Sequence, residues 1–382
     1  MKTLIKNVVI VKKDKKFNGS VLIDEGIISQ IFEDDSYDID ATAMRIIDGN
    51  GFFLAPGMVD IHLHGSYGHD FISNPKETVD IVSRGLLKEG TTSFLASLTV
   101  LSPGDTLKLL NQYKNIEEKQ AGANFLGVHL EGPYLSYEKR QLMNPRYLRS
   151  PKSEDFEEML LAAGGKLKYM TIAPELDNMQ QFIKYAHNKV VLSIGHTMAN
   201  CSTTLKALKS GCKSFTHLYN GMGQHQHRQP MAVTAALTDK RAYSELIVDG
   251  NHVHPDVVRA TYRVLGSRQI ILITDAMLAK GMADGEYVFS NLACRKQGNR
   301  VNVIETGMFA GSVITQLEAI KNMRQFCSCD VVDLFKMASY NPCRLLNIDN
   351  KGCIEAGKDA DLILLDKDLN LKATIVAGKQ IY

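Results

Sequence analysis

The 382-residue sequence predicts an α/β protein, a (β/α)8 TIM-like barrel with a small β-sandwich formed by the N- and C-terminal segments. Three observations support this fold class. Eight short apolar segments alternate with segments of helical periodicity, which is the count of a (β/α)8 barrel. Both ends of the chain are rich in short β-branched runs separated by turn residues. The length suits one large barrel with an accessory unit.

The two ends of the chain predict one small β unit. At the N-terminal end, β-branched runs cover residues 4–11, 20–23, 28–32 and 44–47, with turn residues between them. At the C-terminal end, residues 352–365 and 373–381 have the same character. Because neither end alone buries a face, we expect the two ends to pair. The predicted domains are residues 1–55 with 353–382 as the sandwich, and residues 56–352 as the barrel.

Between the two ends, strand candidates alternate with helix candidates. The predicted strands are residues 58–63, 92–97, 125–130, 168–173, 190–195, 214–218, 245–249 and 269–274. The predicted helices are residues 78–88, 155–163, 179–187, 203–209 and 255–265, followed by 315–326 and 331–346. A doubly wound open sheet is the alternative, but its first strand usually leads into a glycine-rich turn. Here that strand ends in His62-Leu63-His64-Gly65, which favours the barrel.

Composition and charge exclude several classes of protein. Hydrophobic residues make up 45% and charged residues 23% of the chain, which argues against intrinsic disorder. The formal net charge is +2 without a long basic block, so nucleic acid is not an expected partner. No apolar run approaches the roughly 20 residues that a membrane span needs. Seven cysteines without metal-site spacing, and an N-terminus without a signal-peptide pattern, predict a reduced, cytoplasmic protein.

Histidines and carboxylates fall at the C-terminal ends of the predicted strands, where a barrel of this kind carries its active site. Five of the 11 histidines and two carboxylates occupy these positions. They are His62, His64, Glu131, His196, His217, His252 and Asp275. The sequence therefore predicts that these seven side chains meet at one barrel mouth.

Part of this set has the composition of a catalytic metal site. Glu131, His196 and His217 provide three protein ligands and leave a position open for water. His62 and His64 lie on one face of a strand and are candidates for a second ion, with Glu131 bridging. By itself, the His-x-His spacing more often means two half-exposed strand histidines, so the prediction depends on the whole set. Imidazole and carboxylate together suit Zn²⁺ or Fe²⁺, and we expect one or two divalent ions.

Two charged residues near the mouth are candidates for catalysis and anion binding. Asp275 ends an apolar strand, where a carboxylate is costly unless it is paired or poised over a site. We favour a general base and acid over an N-cap of the next segment. Arg228 follows His225-Gln226-His227 in the loop after strand 6. Its guanidinium suits phosphate, and a solvated loop explains it equally well.

Several motifs resemble those of one known family. The segment Ala55-Pro56-Gly57-Met58-Val59-Asp60-Ile61-His62-Leu63-His64-Gly65 resembles the first-strand signature of the amidohydrolase superfamily. Within that superfamily, the chain resembles the N-acetylglucosamine-6-phosphate deacetylases. The motifs that carry this resemblance are His129-Leu130-Glu131-Gly132-Pro133-Tyr134, Gly195-His196-Thr197, Thr216-His217-Leu218-Tyr219-Asn220-Gly221-Met222, Asp249-Gly250-Asn251-His252-Val253-His254, Thr274-Asp275-Ala276 and Ala310-Gly311-Ser312. The match spans nearly the whole chain in order.

The resemblance implies a fold and a reaction. The fold is a (β/α)8 barrel with a β-sandwich built from both termini. The reaction is metal-dependent hydrolysis of the N-acetyl group of N-acetylglucosamine-6-phosphate, which gives glucosamine-6-phosphate and acetate. Glu131, His196 and His217 would hold the principal metal. His62 and His64 fit those family members that bind a second ion.

The resemblance also implies roles for the remaining site residues. Asp275 would activate the metal-bound water and then protonate the departing amine, while His252 would polarise the acetyl carbonyl or hold the sugar. The substrate-contact positions are Asn220, Gly221, Arg228, Leu142 and the Phe309-Ala310-Gly311 turn. In the family the phosphate is gripped partly across a dimer interface, so the resemblance implies a homodimer.

The chain departs from the family pattern in two loops. Lys139-Arg140-Gln141-Leu142-Met143-Asn144-Pro145 stands where the family commonly has Lys-Gly-(Ala/Thr)-His-Asn-Pro, and Arg228-Gln229-Pro230-Met231 replaces Arg-Glu-Pro-Gly. Both departures fall where sugar or phosphate should bind, whereas the metal and acid–base positions are kept. Alternative substrates are therefore N-acetylgalactosamine-6-phosphate or another N-acyl compound. A non-catalytic protein that binds sugar phosphates is a further hypothesis from another functional class.

Overall fold

The structure is a computed structural model that describes residues 2–34 and 44–382. Its strands, in chain order, are β1 (Thr3–Val11), β2 (Lys16–Asp24), β3 (Ile27–Glu33), β4 (Arg45–Pro56), β5 (Met58–Asp60), β6 (Gly65–Ser66), β7 (His69–Asp70), β8 (Thr91–Leu98), β9 (Asn124–Glu131), β10 (Leu167–Ile172), β11 (Val191–Ile194), β12 (Ser214–Phe215), β13 (Tyr243–Ile247), β14 (Ile270–Ile273), β15 (Gly285–Phe289), β16 (Leu292–Gln297), β17 (Arg300–Val303), β18 (Leu362–Leu365), β19 (Leu371–Val376) and β20 (Lys379–Gln380). Its α-helices are α1 (Pro75–Leu87), α2 (Pro103–Tyr113), α3 (Ser153–Ala163), α4 (Met179–Ala186), α5 (Cys201–Ser210), α6 (Ala232–Thr238), α7 (Pro255–Leu265), α8 (Gln316–Cys327), α9 (Val331–Phe335) and α10 (Asn341–Leu345).

Eight parallel strands form the predicted barrel. Their spatial order is β5, β8, β9, β10, β11, β12, β13 and β14, so consecutive barrel strands are neighbours throughout. Strands such as β8 and β14 are buried along their whole length, as expected for parallel strands covered by helices. At the mouth, the chain after β5 bonds to the chain after β14, where the Asp275 amide donates to the His62 carbonyl at 2.8 Å. This bond brings the first and last strand ends together.

Strands from both termini form a second sheet, as predicted. It has seven strands in the order β20, β19, β18, β4, β1, β2 and β3. The central strand β4 is parallel to β1 and antiparallel to β18, so the two ends of the chain meet there. Apolar side chains from both ends, including Ile5, Leu54 and Ile375, share one core.

The helix boundaries follow local sequence signals. Helix α7 begins after His254, which accepts a hydrogen bond from the Asp256 amide, and has Pro255 in its first turn. Helix α8 begins with a capping box between Thr315 and Glu318. These signals place both helices within one residue of their predicted bounds.

The predicted helix 331–346 is wrong as a single helix. Its residues form α9, a π-helical segment over Lys336–Tyr340, and α10. Pro342 has no amide hydrogen, so the regular hydrogen-bond ladder cannot run through it, and a π segment absorbs the break. Helices α2 and α6 and the antiparallel sheet of β15, β16 and β17 were not predicted. Among the described residues, no helix combines the length and hydropathy required to cross a lipid bilayer.

Candidate metal centre and active site

Three site residues end their strands in a left-handed backbone conformation. His196 follows β11 with φ of 47°, His217 follows β12 with φ of 31°, and Asp275 follows β14 with φ of 50°. Positive φ is uncommon for residues other than glycine and tends to occur at functional sites. The turns stop the strands and aim the side chains across the barrel mouth. They also explain why β12 ends at Phe215 rather than at the predicted residue 218.

The first candidate metal group consists of Glu131, His196 and His217, all buried. Oε1 of Glu131 lies 3.0 Å from Nε2 of His196 and 3.0 Å from Nε2 of His217. The two imidazole Nε2 atoms are 3.1 Å apart. Three donor atoms from β9 and from the ends of β11 and β12 therefore converge on one point.

The second candidate group consists of His62, His64 and the same Glu131. Oε2 of Glu131 lies 3.1 Å from Nε2 of His64, and Oε1 lies 3.5 Å from Nε2 of His62. Within each group, all ligand atoms lie within 4.8 Å of one another. The shared carboxylate places the two groups side by side, as predicted from the sequence.

The outer-side hydrogen bonds of two of the imidazoles fit metal binding. Nδ1 of His196 lies 2.7 Å from the Lys139 carbonyl, and Nδ1 of His64 lies 3.1 Å from the Ser97 carbonyl. A carbonyl only accepts, so each Nδ1 carries the hydrogen and each Nε2 faces the centre. This outer-side bonding is typical of metal-ligating histidines. The donor set therefore fits one or two divalent ions.

Asp275 lies against the second group. Its Oδ1 is 3.5 Å from Nε2 of His62 and 3.4 Å from Nε2 of His64. Burial would raise the pKa of Asp275, but the neighbouring His62 and His64 lower it below the ordinary value. The carboxylate is therefore ionised at neutral pH and is able to accept a proton.

The carboxylates in and around the two groups affect the protonation of their histidines. Burial would lower the pKa of His62 and His64, yet the carboxylates around them, including Asp275 and Glu131, outweigh it. They raise the pKa of His62 to about 9 and that of His64 to about 10. The site therefore favours cations at its centre.

A cavity of about 40 Å³ opens over these groups. Among the predicted substrate-contact residues, Leu142, Phe309 and Gly311 line it, together with Asp275. Ala310, between Phe309 and Gly311 in the same turn, is fully buried. The cavity is small, so a bound sugar phosphate would extend outward from it.

The predicted contact residues on the loop after β12 have different positions. Gly221 packs against the His196 ring, since a Cβ there would lie 3.1 Å from Nδ1. The side-chain amide of Asn220 donates to the His217 carbonyl at 3.2 Å, and its backbone amide donates to the same oxygen at 2.9 Å. Arg228 is exposed and does not line the cavity. The first two residues therefore support metal ligands, whereas the structure does not bring Arg228 to the cavity.

His252 packs against the Phe309 ring. The two ring centroids are 4.7 Å apart, and Phe309 lines the cavity whereas His252 does not. Nδ1 of His252 lies 2.7 Å from the Asp249 carboxylate. Burial would raise the pKa of Asp249, but the hydrogen bond and charge of His252 outweigh burial and lower that pKa below its ordinary value. Asp249 therefore fixes the orientation of His252.

Comparison with known proteins agrees with this geometry. Residues 53–381 match the family model of the amidohydrolase family. The chain is 36% identical to an N-acetylglucosamine-6-phosphate deacetylase of Bacillus subtilis, over 98% of this chain and 96% of that protein. It is 30% identical to an N-acetylgalactosamine-6-phosphate deacetylase of Escherichia coli, over 89% and 91% of the two chains.

A solved structure is similar along the whole chain. It is a variant N-acetyl-D-glucosamine-6-phosphate deacetylase from Mycobacterium smegmatis in complex with N-acetyl-D-glucosamine-6-phosphate. The TM-score is 0.90 at 29% identity, with 100% of this chain and 98% of that chain covered. This chain belongs to the N-acetylglucosamine-6-phosphate deacetylase family of amidohydrolases.

The loop after β9, where this chain departs from the deacetylase family pattern, forms one wall of the site. Leu142 packs against the apolar cluster that includes Met277 and Ala310. Met143 packs with Val100 and Leu135 and is 7% exposed. A second cavity of about 380 Å³ adjoins the first and shares both Leu142 and Met143 with it.

Sequence reasoning missed two carboxylates that support the site. Glu245, in β13, is fully buried and accepts from Nδ1 of His62 at 3.0 Å. Asp249 holds His252. A signal for Glu245 was present, because a carboxylate within the apolar strand Ser244-Glu245-Leu246-Ile247-Val248 needs a buried partner.

Proposed function

We propose that this chain hydrolyses the N-acetyl group of N-acetylglucosamine-6-phosphate to glucosamine-6-phosphate and acetate. The observation that carries the proposal is the convergence of two His/Glu groups with the ionised Asp275 at one barrel mouth. The curated relatives that match nearly the whole chain are deacetylases of 6-phosphorylated amino sugars, which supports the same substrate class.

Glu131, His196 and His217 would hold the principal ion, and His62 with His64 and Glu131 a second one. Either Zn²⁺ or Fe²⁺ suits imidazole and carboxylate ligands. The chemistry that a divalent ion would supply there is polarisation of the acetyl carbonyl and a lowered pKa of water.

Asp275 carries the proton transfers in this proposal. Its ionised carboxylate takes a proton from the attacking water as the oxygen bonds to the acetyl carbon. It then gives that proton to the amine nitrogen as the carbon–nitrogen bond breaks. One water is consumed, and acetate and the free amine leave.

Other residues would bind and orient the sugar phosphate. His252, held by Asp249 through Nδ1, would use Nε2 to contact the acetyl carbonyl or the sugar of a substrate bound beside the Phe309 ring. The Phe309-Ala310-Gly311 turn and Leu142 would flank the reacting group, while Asn220 and Gly221 would act from beside the metal ligands His217 and His196. The exposed Arg228 is suited to the phosphate, which carries two negative charges.

N-Acetylgalactosamine-6-phosphate is the second candidate substrate. Two observations favour it as an alternative: the Escherichia coli relative is named for that epimer, and the Gln141-Leu142-Met143 wall differs from the family pattern. A change in the wall beside the reacting group alters which sugar hydroxyls fit, without touching the metal or acid–base residues.

An acetate-release screen tests both candidates. N-Acetylglucosamine and N-acetylgalactosamine are compared with and without the 6-phosphate, in the metal-loaded wild type and in Asp275→Asn. We expect N-acetylglucosamine-6-phosphate to give the highest kcat/KM of the four compounds. We expect Asp275→Asn to lower kcat by about 10²- to 10⁴-fold. Activity that is unchanged in Asp275→Asn would remove the role given to this residue. A higher kcat/KM for the galactosamine derivative would favour the second candidate.

We also propose that the protein is a cytoplasmic homodimer. All seven cysteines are free thiols, which suits a reducing compartment. Apolar side chains on the segment that borders the mouth are exposed, including Val288 at 66% and Met308 at 43%. Light scattering coupled to size-exclusion chromatography measures the oligomeric state directly, and a monomer at micromolar concentration would contradict the proposal.

A further inference from the structure

Glu245 is a buried carboxylate with two specific contacts at the metal centre. Its side chain is 0% exposed and lies in β13. Its Oε2 atom accepts from Nδ1 of His62 at 3.0 Å and from the backbone amide of His217 at 3.0 Å. Burying a carboxylate is costly, so both contacts have to compensate for its desolvation.

The contact with His62 determines which nitrogen of that ring faces the centre. A carboxylate accepts, so His62 carries its hydrogen on Nδ1. Nε2 then points toward Glu131 at 3.5 Å and toward Nε2 of His64 at 3.4 Å. A carboxylate behind a ligating histidine also makes the imidazole a stronger donor to a metal.

The carboxylate acts on one of the two metal groups more than on the other. Nδ1 of His64 and Nδ1 of His196 face neutral backbone carbonyls, those of Ser97 and Lys139. In His62, by contrast, the outer nitrogen Nδ1 contacts a carboxylate, that of Glu245. No other histidine of the two metal groups has such a contact within residues 2–34 and 44–382. The first group receives only a contact to the backbone of His217. The extra negative charge therefore lies directly behind the second group.

We propose that Glu245 is a positioning residue that makes the group of His62, His64 and Glu131 competent to bind a second divalent ion. This inference rests on the proposed function only in the assumption that a second ion binds there. It does not depend on which sugar is deacetylated.

Two substitutions separate the charge of Glu245 from its hydrogen bonds. Both contacts end on the same oxygen, so the amide oxygen of Glu245→Gln is able to accept them while the charge is lost. Glu245→Leu removes the oxygen that accepts both bonds and leaves an apolar side chain in its place. Asp249→Asn is the matched control, because Asp249 is a buried carboxylate that holds His252, which lies outside both metal groups.

The experiment measures metal stoichiometry and affinity rather than turnover. The full chain is stripped with a chelator and equilibrated with buffered free Zn²⁺, and bound zinc is determined by elemental analysis. We expect wild type and Asp249→Asn to bind two ions. We expect a second-ion dissociation constant about 10-fold higher in Glu245→Gln and at least about 100-fold higher in Glu245→Leu. The dissociation constant of the first ion should change by less than about threefold in Glu245→Gln.

Three results would overturn the inference. Wild type that binds a single ion would show that the second group is not a metal site, whatever the reaction. Two ions bound with wild-type affinity in both Glu245 variants would show that the carboxylate is not needed. Equal weakening of both ions in Glu245→Gln would indicate a general packing role. Melting temperatures of the metal-free variants identify any loss of folding.

Discussion

A methyl group at position 311 would collide with the backbone that carries Asp275. Gly311 has φ of +63°, and a Cβ built on it lies 2.8 Å from the Asp275 carbonyl oxygen. The same oxygen accepts the Ser312 amide at 2.8 Å, so the turn holds Asp275 in place. Gly311→Ala should therefore damage catalysis through position alone, because no reacting group is removed.

The size of the effect follows from this geometry. Ordinary van der Waals contact begins near 3.4 Å, so the carbonyl has to retreat by the difference from 2.8 Å, about 0.6 Å. Since misplacement of a reacting group by 1 Å costs roughly 100-fold in rate, a shift of this size predicts a fall in kcat of about tenfold. The left-handed backbone adds a loss of stability of about 1 kcal/mol, because an alanine is strained there.

Gly307→Ala is the matched control. Gly307 has φ of +72°, in the same segment, and a Cβ there would meet no heavy atom within 4 Å. It should lose similar stability, measured by urea unfolding, and keep its kcat. The reasoning is refuted if kcat at saturating substrate differs by less than about twofold between the two variants.

Two further predictions concern buried charges. The Nζ atom of Lys351 lies 2.6 Å from a carboxylate oxygen of Asp359 and 2.7 Å from one of Asp361. Because Lys351→Met leaves these carboxylates without their cation, it should lower the free energy of unfolding, measured by urea titration, by about 3–5 kcal/mol. A loss below about 1 kcal/mol would contradict this. His62 and His64, with pKa values raised to about 9 and about 10, are protonated at pH 7.5 in the metal-free chain, so an ion at their site should release protons. The affinity of the His62 and His64 site for the ion should rise with pH up to about pH 9 and level off above about pH 10. Calorimetry in two buffers of different ionisation enthalpy measures the release, and equal heats would refute it.

The sequence predicted the barrel because parallel strands covered by helices are apolar along their length. Strand β14, for example, is predicted as 269–274 and spans Ile270–Ile273. Seven polar residues at strand ends were predicted to meet because the carboxyl ends of barrel strands share one face. Six of them, all except His252, do converge, with distances of 3.0–3.5 Å between partners.

Other features depend on contacts that sequence periodicity does not record. The partner of Glu245 is His62, 183 residues away, so nothing near Glu245 in the chain identifies its role. His252 packs against the ring of Phe309 and does not line the cavity, and Phe309 lies on a turn much later in the chain. The sheet of β15 to β17 is half exposed and rich in charged side chains, such as Arg295 and Lys296, which hides its alternation.

The central place of β4 in the terminal sheet has a consequence for synthesis of the chain. One edge of β4 pairs with β1, which is synthesised shortly before it. The other edge of β4 pairs with β18, which is synthesised much later. Leu362 follows Pro56 by 306 residues, which at typical translation rates takes about 15–60 s. During that interval β4 exposes an unpaired strand edge, the kind of surface on which chains associate wrongly. Nascent chains stalled before residue 362 should therefore bind chaperones through this edge.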